Sequence, residues 1–177
     1  MSRPVPMLRI ATCSALPEPD PDHRPLELAL AAAGVTFEWV AWDDPNATWD
    51  APIPTVIRTT WNYVQAHQAF VAWTQRVAAA APLWNPPDII AGNVHKGYLL
   101  QLADRGVATV PTHLLAQGST HLDDPFAAVA ADRIVIKPAV GAGSFGARWF
   151  VRSPDGAAKA SQHALELATT SDVLVQP

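Results

Sequence analysis

Residues 134–147, with the sequence IVIKPAVGAGSFGA, combine a lysine with a cluster of glycines. Lys137 ends an apolar run, and three glycines follow at the spacing G-x-G-x-x-G within residues 141–146. Glycine lets the backbone approach a ligand closely and adopt positive φ angles. Successive free N–H groups, together with the Ser144 hydroxyl, can then bind the oxygens of an anion. This combination is typical of a phosphate-binding loop.

The residues after the loop decide between kinds of phosphate loop. A dinucleotide-binding G-x-G-x-x-G turn opens a helix, whereas residues 147–151, ARWFV, have strand character. A Walker A loop requires lysine directly after its last glycine, but Ala147 and Arg148 follow here. What remains is a glycine-rich hairpin between two strands, suited to closing over phosphates. An inward-facing Lys137 is costly without an anion, although the residues alone leave open a solvated lysine beside a flexible hairpin.

Composition narrows the class of protein. The chain has 177 residues, of which 49% are apolar, so one domain or two small ones can fold around packed cores. The net charge of −4 lacks the basic excess typical of nucleic-acid binding. The single cysteine, Cys13, excludes an internal disulfide and a cysteine-rich metal site. No segment is apolar and long enough for a signal peptide or a membrane span. A soluble cytoplasmic protein is therefore expected.

The elements that must position this loop alternate between strands and helices. Strands are predicted at residues 7–13, 37–42 and 54–61, with a helix from Pro25 to Gly34 and another that aligns Phe70, Trp73 and Val77. This order predicts a small open α/β sheet. The prolines in residues 83–93 disfavour helix and indicate a stiff link. We place the domain boundary there, with domains at residues 1–86 and 87–177.

The second half begins with a helix that Asn93 is expected to cap and Gly106 to end. Further strands are predicted at residues 107–115, 133–138, 147–151 and 172–177, with a short helix from Asp124 to Val129 and a longer one from Asp155 to about Thr170. The final strand is expected to present an unpaired edge that favours self-association into a homo-oligomer.

Other candidate residues lie in the first half. RTTWNY follows the third predicted strand, at the edge where open α/β sheets bind ligands. We interpret four of its residues as possible contacts to an acceptor substrate: Arg58, Thr59, Trp61 and Tyr63. Packing of Trp61 and Tyr63 at the domain junction is an equal alternative. The histidines show no metal-ligand spacing and are expected at the surface or in capping positions.

The segments NVHKGYLLQLADRGVATVPT, IVIKPAVGAGSFGARWF and DVLVQP, in this order, resemble an ATP-grasp domain. In that family one lysine opens a helix, a second ends a strand before a glycine-rich loop, and a last strand leads to the adenine hinge. The chain is similar to the RimK and glutathione-synthetase-like branch, and most to the type of the cyclo-ligase of D-cycloserine biosynthesis. One departure is His95-Lys96 where the branch reads Asp-Lys.

The resemblance implies a small open Rossmann-like pre-ATP-grasp domain, then the α+β N-terminal subdomain of an ATP-grasp fold, truncated before the large C-terminal subdomain. It implies binding of ATP and Mg²⁺, with the metal ligands beyond residue 177 and no metal ligand or catalytic residue within the chain. The implied nucleotide-binding residues are Lys96, Lys137, Gly141, Ala142, Gly143, Ser144, Phe145, Gly146 and Gln176.

The implied activity is an ATP-dependent ligase that forms carbon–nitrogen bonds from a small carboxylate and an amine or similar nucleophile through an acylphosphate. The truncated chain is expected to be inactive alone. The expected partners are small-molecule substrates, without nucleic acid or membrane. The alternative is a non-catalytic α/β module for nucleotide binding or interaction.

Overall fold

The chain divides into two compact units, Met1–Ala91 and Gly92–Pro177. The structure, a computed structural model, describes residues 7–16 and 18–177. Each unit has a four-stranded sheet and a hydrophobic core of its own. The assignment of residues 1–86 to a pre-ATP-grasp domain and of residues 87–177 to an ATP-grasp N-terminal subdomain stays a prediction.

The N-terminal unit is built on a parallel sheet with the strand order β2-β1-β3-β4. Its strands are β1 (Leu8–Thr12), β2 (Phe37–Ala41), β3 (Thr55–Thr59) and β4 (Leu83–Trp84). Two helices, α1 (His23–Ala32) and α2 (His67–Ala80), lie between β1 and β2 and between β3 and β4, and a 3-10 helix spans Trp61–Gln65. Because parallel strands share a direction, the segments after β1, β2 and β3 emerge at one edge of the sheet.

Aromatic side chains form half of the buried core cluster of this unit. Phe70, Trp73 and Val77 are buried on one face of α2, as their spacing predicts. The Trp73 ring stacks on Phe70 at 5.3 Å between centroids and meets Trp49 edge-on at 5.0 Å. Such pairs add to the stabilisation from buried apolar area.

The C-terminal unit is built on an antiparallel sheet with the strand order β5-β8-β6-β7. Its strands are β5 (His113–Leu115), β6 (Arg133–Pro138), β7 (Arg148–Val151) and β8 (Val173–Gln176). The remaining elements are α3 (Pro87–Val94), which crosses the division between the units, α4 (Tyr98–Asp104), a 3-10 helix at Ala127–Val129 and α5 (Pro154–Ala168). Ser153 caps α5 by accepting a hydrogen bond from the Gly156 amide at 2.9 Å.

Strand β6 separates an apolar face of the sheet from a second face that carries Lys137. Ile134 and Ile136 are fully buried in the core with Ala160 and Ala164 of α5. Side chains alternate along a strand, so Val135 and Lys137 point to the opposite face. The core of this unit therefore fixes which way Lys137 faces.

The predictions for residues 83–97 were wrong in two respects. Residues 83–84 form β4, and Pro87 begins α3 instead of preventing a helix. Proline is accepted in the first turn, because its missing N–H would have no helical partner there. Asn93 lies inside α3 and does not cap the next helix, for which Gly97 is the N-cap residue.

The predicted free edge of the last strand was also wrong. Strand β8 lies between β5 and β6, and its residues Val173, Leu174 and Val175 are fully buried. Pairing on both sides satisfies the backbone groups of β8, so this strand gives no reason to expect a homo-oligomer.

The combination of a parallel and an antiparallel sheet, both with helices, agrees with the predicted fold class. Within the described ranges, no helix has the length and apolar character that crossing a membrane requires.

Candidate functional site

A cavity of about 340 Å³ lies in the C-terminal unit beside the Lys137 face of β6. It brings together the two predicted lysines and most of the glycine-rich loop. The residues that line it are Lys96, Val135, Lys137, Pro138, Gly141, Ala142, Gly143, Ser144, Phe145 and Ala147. The list includes Val135, Pro138 and Ala147, which the sequence did not single out, although Val135 shares its strand face with Lys137.

Lys96 is held against the start of the glycine-rich loop. Its amide donates a hydrogen bond to the carbonyl of Ala139 at 2.9 Å, and its Nζ donates to the carbonyl of Gly141 at 2.7 Å. Burial lowers the pKa of Lys96, and the charge of Lys137 lowers it further. An anion beside the two ammonium groups would reverse this destabilisation of the charged form.

The Lys137 side chain is half-buried, and its ammonium group has neither a hydrogen bond nor an ion pair within residues 7–16 and 18–177. No acidic side chain lines the cavity in this part of the chain. The lysine is therefore not paired within its own unit, in contrast to Lys159, whose Nζ lies 2.7 Å from Asp155. Two close, uncompensated positive charges are suited to an anionic ligand.

The loop backbone has the conformation that its glycines predict. Gly143, Ser144 and Gly146 have φ angles of 58°, 60° and 71°. Two turns shape the loop, one from the Phe145 amide to the Ala142 carbonyl at 3.1 Å and one from Ala147 to Ser144 at 3.0 Å. The amides of residues 141–144 donate to no acceptor in the described part of the chain. These N–H groups are available to bind anionic oxygens.

The C-terminal end of the loop is anchored to α5. Gly146 does not line the cavity, and its carbonyl accepts a hydrogen bond of 2.9 Å from Nε2 of His163. His163 is only 6% exposed, so its predicted surface or capping position was wrong. The reason is tertiary, because α5 packs across the sheet and carries this polar ring into the core. The sequence offered no signal for this contact.

Gln176 is placed away from the cavity lining. Its side chain is buried and donates from Nε2 to the hydroxyl of Thr112 at 2.8 Å, while its backbone pairs with Val135. Val135 lines the cavity, so Gln176 stands beside the site on the neighbouring strand. Its predicted contact with adenine stays a prediction.

The four predicted acceptor-substrate residues belong to the N-terminal unit. Nη2 of Arg58 lies 3.2 Å from Asp20 and 2.9 Å from Asp22, and Thr59 is buried with its hydroxyl 2.8 Å from that of another threonine, Thr12. Trp61 is 47% exposed. Tyr63 packs at 5.4 Å from Phe70, and burial raises the pKa of its hydroxyl. The substrate role of these four residues stays a prediction.

A polar cluster that the sequence did not indicate joins the segments after β1, β2 and β3. Asp43 accepts hydrogen bonds from the amide and hydroxyl of Ser14, at 2.8 and 2.5 Å, and from Nδ2 of Asn62 at 2.6 Å. Asn62 also accepts from Nε1 of Trp42 at 2.7 Å. Burial alone would raise the pKa of Asp43, but the hydrogen bonds outweigh it and lower the pKa. The cluster fixes the carboxyl edge of the parallel sheet.

A magnesium site is not formed by the described residues. In residues 7–16 and 18–177, no group of three or more acidic, histidine or cysteine side chains could hold a metal ion. The oxygen ligands that Mg²⁺ prefers are therefore not assembled there.

Comparison with known proteins supports the fold and the resemblance. A family model described as the N-terminal domain of D-cycloserine synthetase DcsG matches residues 8–85. Residues 8–85 are thus similar to this domain. The chain is 32% identical over 163 residues to the cycloserine biosynthesis protein DcsG of Streptomyces lavendulae. The match covers 89% of this chain and 54% of that protein.

Solved structures extend the likeness beyond the first unit. The crystal structure of D-cycloserine synthetase DcsG is 30% identical, with a TM-score of 0.79, and the match covers 96% of this chain and 58% of that one. A RimK domain ATP-grasp protein from Sphaerobacter thermophilus DSM 20745 is 20% identical, with a TM-score of 0.66 over 95% of this chain and 62% of that chain. The predicted fold, that of the N-terminal part of ATP-grasp proteins, is confirmed. The chain spans little more than half the length of these relatives.

Proposed function

We propose that this chain supplies the nucleotide-phosphate side of an ATP-dependent ligase, which joins a small carboxylate to an amine or a similar nucleophile through an acylphosphate. The observation that carries the proposal is the position of Lys96 and Lys137 together beside a loop with free amides, in a cavity that no acidic side chain of the described residues lines. The similarity to D-cycloserine synthetase supports the ligase class.

In this proposal the chain binds and orients the phosphates of ATP. Lys96 and Lys137 neutralise their negative charge, and the amides of residues 141–144 donate hydrogen bonds to their oxygens. A carboxylate oxygen of the substrate attacks the γ-phosphorus, the bond to ADP breaks, and an acylphosphate forms. The nucleophile then attacks the acyl carbon and releases phosphate. Positioning and charge neutralisation are the main contributions of a protein to such a transfer.

Two further regions of the chain have supporting roles in the proposal. Phe145, at the tip of the loop, is 75% exposed and would help to cover the phosphates and exclude water. Gln176 would border the adenine from the neighbouring strand. The candidates for contact with the acceptor substrate are Arg58, Thr59, Trp61 and Tyr63. Among the hydrophobic residues of this group, Trp61 has the most exposed side chain.

A substitution of Lys137 tests the phosphate site. Lys137→Met should weaken ATP binding by about 1.5 kcal/mol, roughly tenfold, because a charge-assisted hydrogen bond is lost. Lys159→Met is the matched control, because Lys159 is exposed, is paired with Asp155 and does not line the cavity. Isothermal titration of both variants with ATP measures the effect. An unchanged affinity in Lys137→Met would remove this residue from the site.

A second assay separates the ligase from a module that only binds nucleotide. The protein expressed from the complete gene is incubated with ATP and a panel of small amino acids and amines, and ADP release is measured. Release that requires both a carboxylate and a nucleophile supports the ligase. Tight ATP binding without such release would favour the module.

A further inference from the structure

His95 occupies a bridging position between two segments of the C-terminal unit. Its Nδ1 accepts a hydrogen bond of 3.1 Å from the amide of Gly97. Its Nε2 lies 3.1 Å from Oδ2 of Asp172, whose other oxygen, Oδ1, accepts from the amide of Gln117 at 2.7 Å. A ring nitrogen that accepts carries no proton, so the pair of contacts selects the tautomer with hydrogen on Nε2.

Two backbone hydrogen bonds complete a closed ring of contacts that includes Lys96. The backbone carbonyl of Asp172 accepts from the amide of Ala139 at 2.8 Å, and the carbonyl of Ala139 accepts from the amide of Lys96 at 2.9 Å. Lys96 is bonded covalently to His95, whose ring returns to Asp172. Three hydrogen bonds and one peptide bond therefore join the lysine to the segment before β8 and to Ala139, two residues before the glycine-rich loop.

We propose that His95 and Asp172 are positioning residues that hold Lys96, and with it the start of the glycine-rich loop, in the geometry that binds the nucleotide phosphates. The inference rests on the proposed function. The side chains of His95 and Asp172 are 34% and 32% exposed. A contact that is so accessible to water contributes little to overall stability, whereas a displaced Lys96 weakens every contact that its Nζ makes with the loop and the ligand.

The side chain required at position 95 follows from the geometry. Asparagine can accept the hydrogen bond from the amide two residues later, as in an Asx turn. His95→Asn thus preserves the turn to Gly97, but its side chain ends where Nδ1 of the histidine lies and is too short to replace the contact of Nε2 with Asp172. His95→Ala loses both contacts. Asp172→Asn keeps one acceptor oxygen for the Gln117 amide but places an NH₂ group opposite the Nε2–H of His95.

The test measures ATP affinity by isothermal titration in the presence of Mg²⁺, with the protein expressed from the complete gene. His95→Ala should weaken affinity at least about fivefold, the value of one lost hydrogen bond, and Asp172→Asn should also weaken it. His95→Asn, which keeps the turn to Gly97 and loses the contact with Asp172, should lie between the unmodified protein and His95→Ala. The control is His121→Ala, because His121 forms the same kind of pair, 2.8 Å from Asp123, but is exposed and outside the cavity lining.

A second measurement needs no nucleotide. Nitrogen-15 NMR of the His95 ring in the ligand-free protein should show the Nε2–H tautomer, and Asp172→Asn should alter that signature. An Nδ1–H tautomer, or equal ATP affinities of His95→Ala and His121→Ala, would overturn the inference alone. If the unmodified protein binds no ATP, the proposed function fails and this inference fails with it.

Discussion

Gly146→Ala should destabilise the C-terminal unit more than a glycine substitution elsewhere in the same loop. Gly146 has a φ of 71°, in the left-handed region that residues with a Cβ atom rarely adopt. A Cβ atom built on it would lie 3.0 and 3.1 Å from the ring of Pro138 and 3.5 Å from Cδ2 of Leu167. Both the backbone and the packing therefore oppose the substitution.

The magnitude follows from these two costs. The left-handed conformation costs a residue with a Cβ atom about 1–2 kcal/mol. Crowding a packed site typically costs a further 1–3 kcal/mol, roughly, and Pro138 is buried at the end of β6. Gly143 has a φ of 58° with no atom within 4 Å of the added Cβ atom. Gly143→Ala should therefore show only the backbone cost.

Hydrogen exchange gives the free energy of opening for each unit separately. Peptides that cover β6 and β8 report on the C-terminal unit in the unmodified protein, Gly143→Ala and Gly146→Ala. In a Pro138→Ala background the effect of Gly146→Ala should diminish, because the crowding atoms are absent. Equal losses in the two glycine variants would refute the packing argument, and no loss in either would refute the backbone argument.

Three other predictions concern burial and charge. Trp73→Ala should cost the N-terminal unit about 3–5 kcal/mol in thermal unfolding, because the buried indole leaves a cavity. Asp43→Asn should lower the free energy of unfolding by about 1 kcal/mol at neutral pH, whereas Asp50→Asn should leave it unchanged. Because folding lowers the pKa of Asp43, its stabilisation is present above the unfolded pKa and is lost as the pH falls below about 4. Unfolding measured at neutral pH and below pH 4, roughly, would show this difference. In Lys137→Met the pKa of Lys96, followed by NMR titration, should rise.

The loop and its lysine could be predicted because the information is local. Alternation along residues 133–138 places Lys137 opposite the buried isoleucines, and glycine spacing marks the positive φ angles. The order of the segments also supported the family resemblance. The strand alternation and the glycine spacing each lie within a few residues, which is the range over which sequence patterns report backbone conformation.

Strand order and the contacts around the site could not be predicted in this way. The position of β8 between β5 and β6 depends on pairing with distant segments. His163 contacts Gly146 across 17 residues, and His95 contacts Asp172 across 77. The failure at α3 has another origin, since two prolines fit a helix start as well as a stiff link.

The close approach of His95 to Gly97 has an evolutionary consequence. A Cβ atom on residue 97 would lie 2.8 Å from Nδ1 of the imidazole, which is shorter than any ordinary contact. With φ at −58°, the backbone itself would accept other residues, so the ring alone excludes them. The two positions should therefore show epistasis. Histidine at 95 requires glycine at 97, and homologues with alanine at 95 should be free to vary at 97. Gly97→Ala should consequently be harmful in this chain and add no further loss in a His95→Ala background.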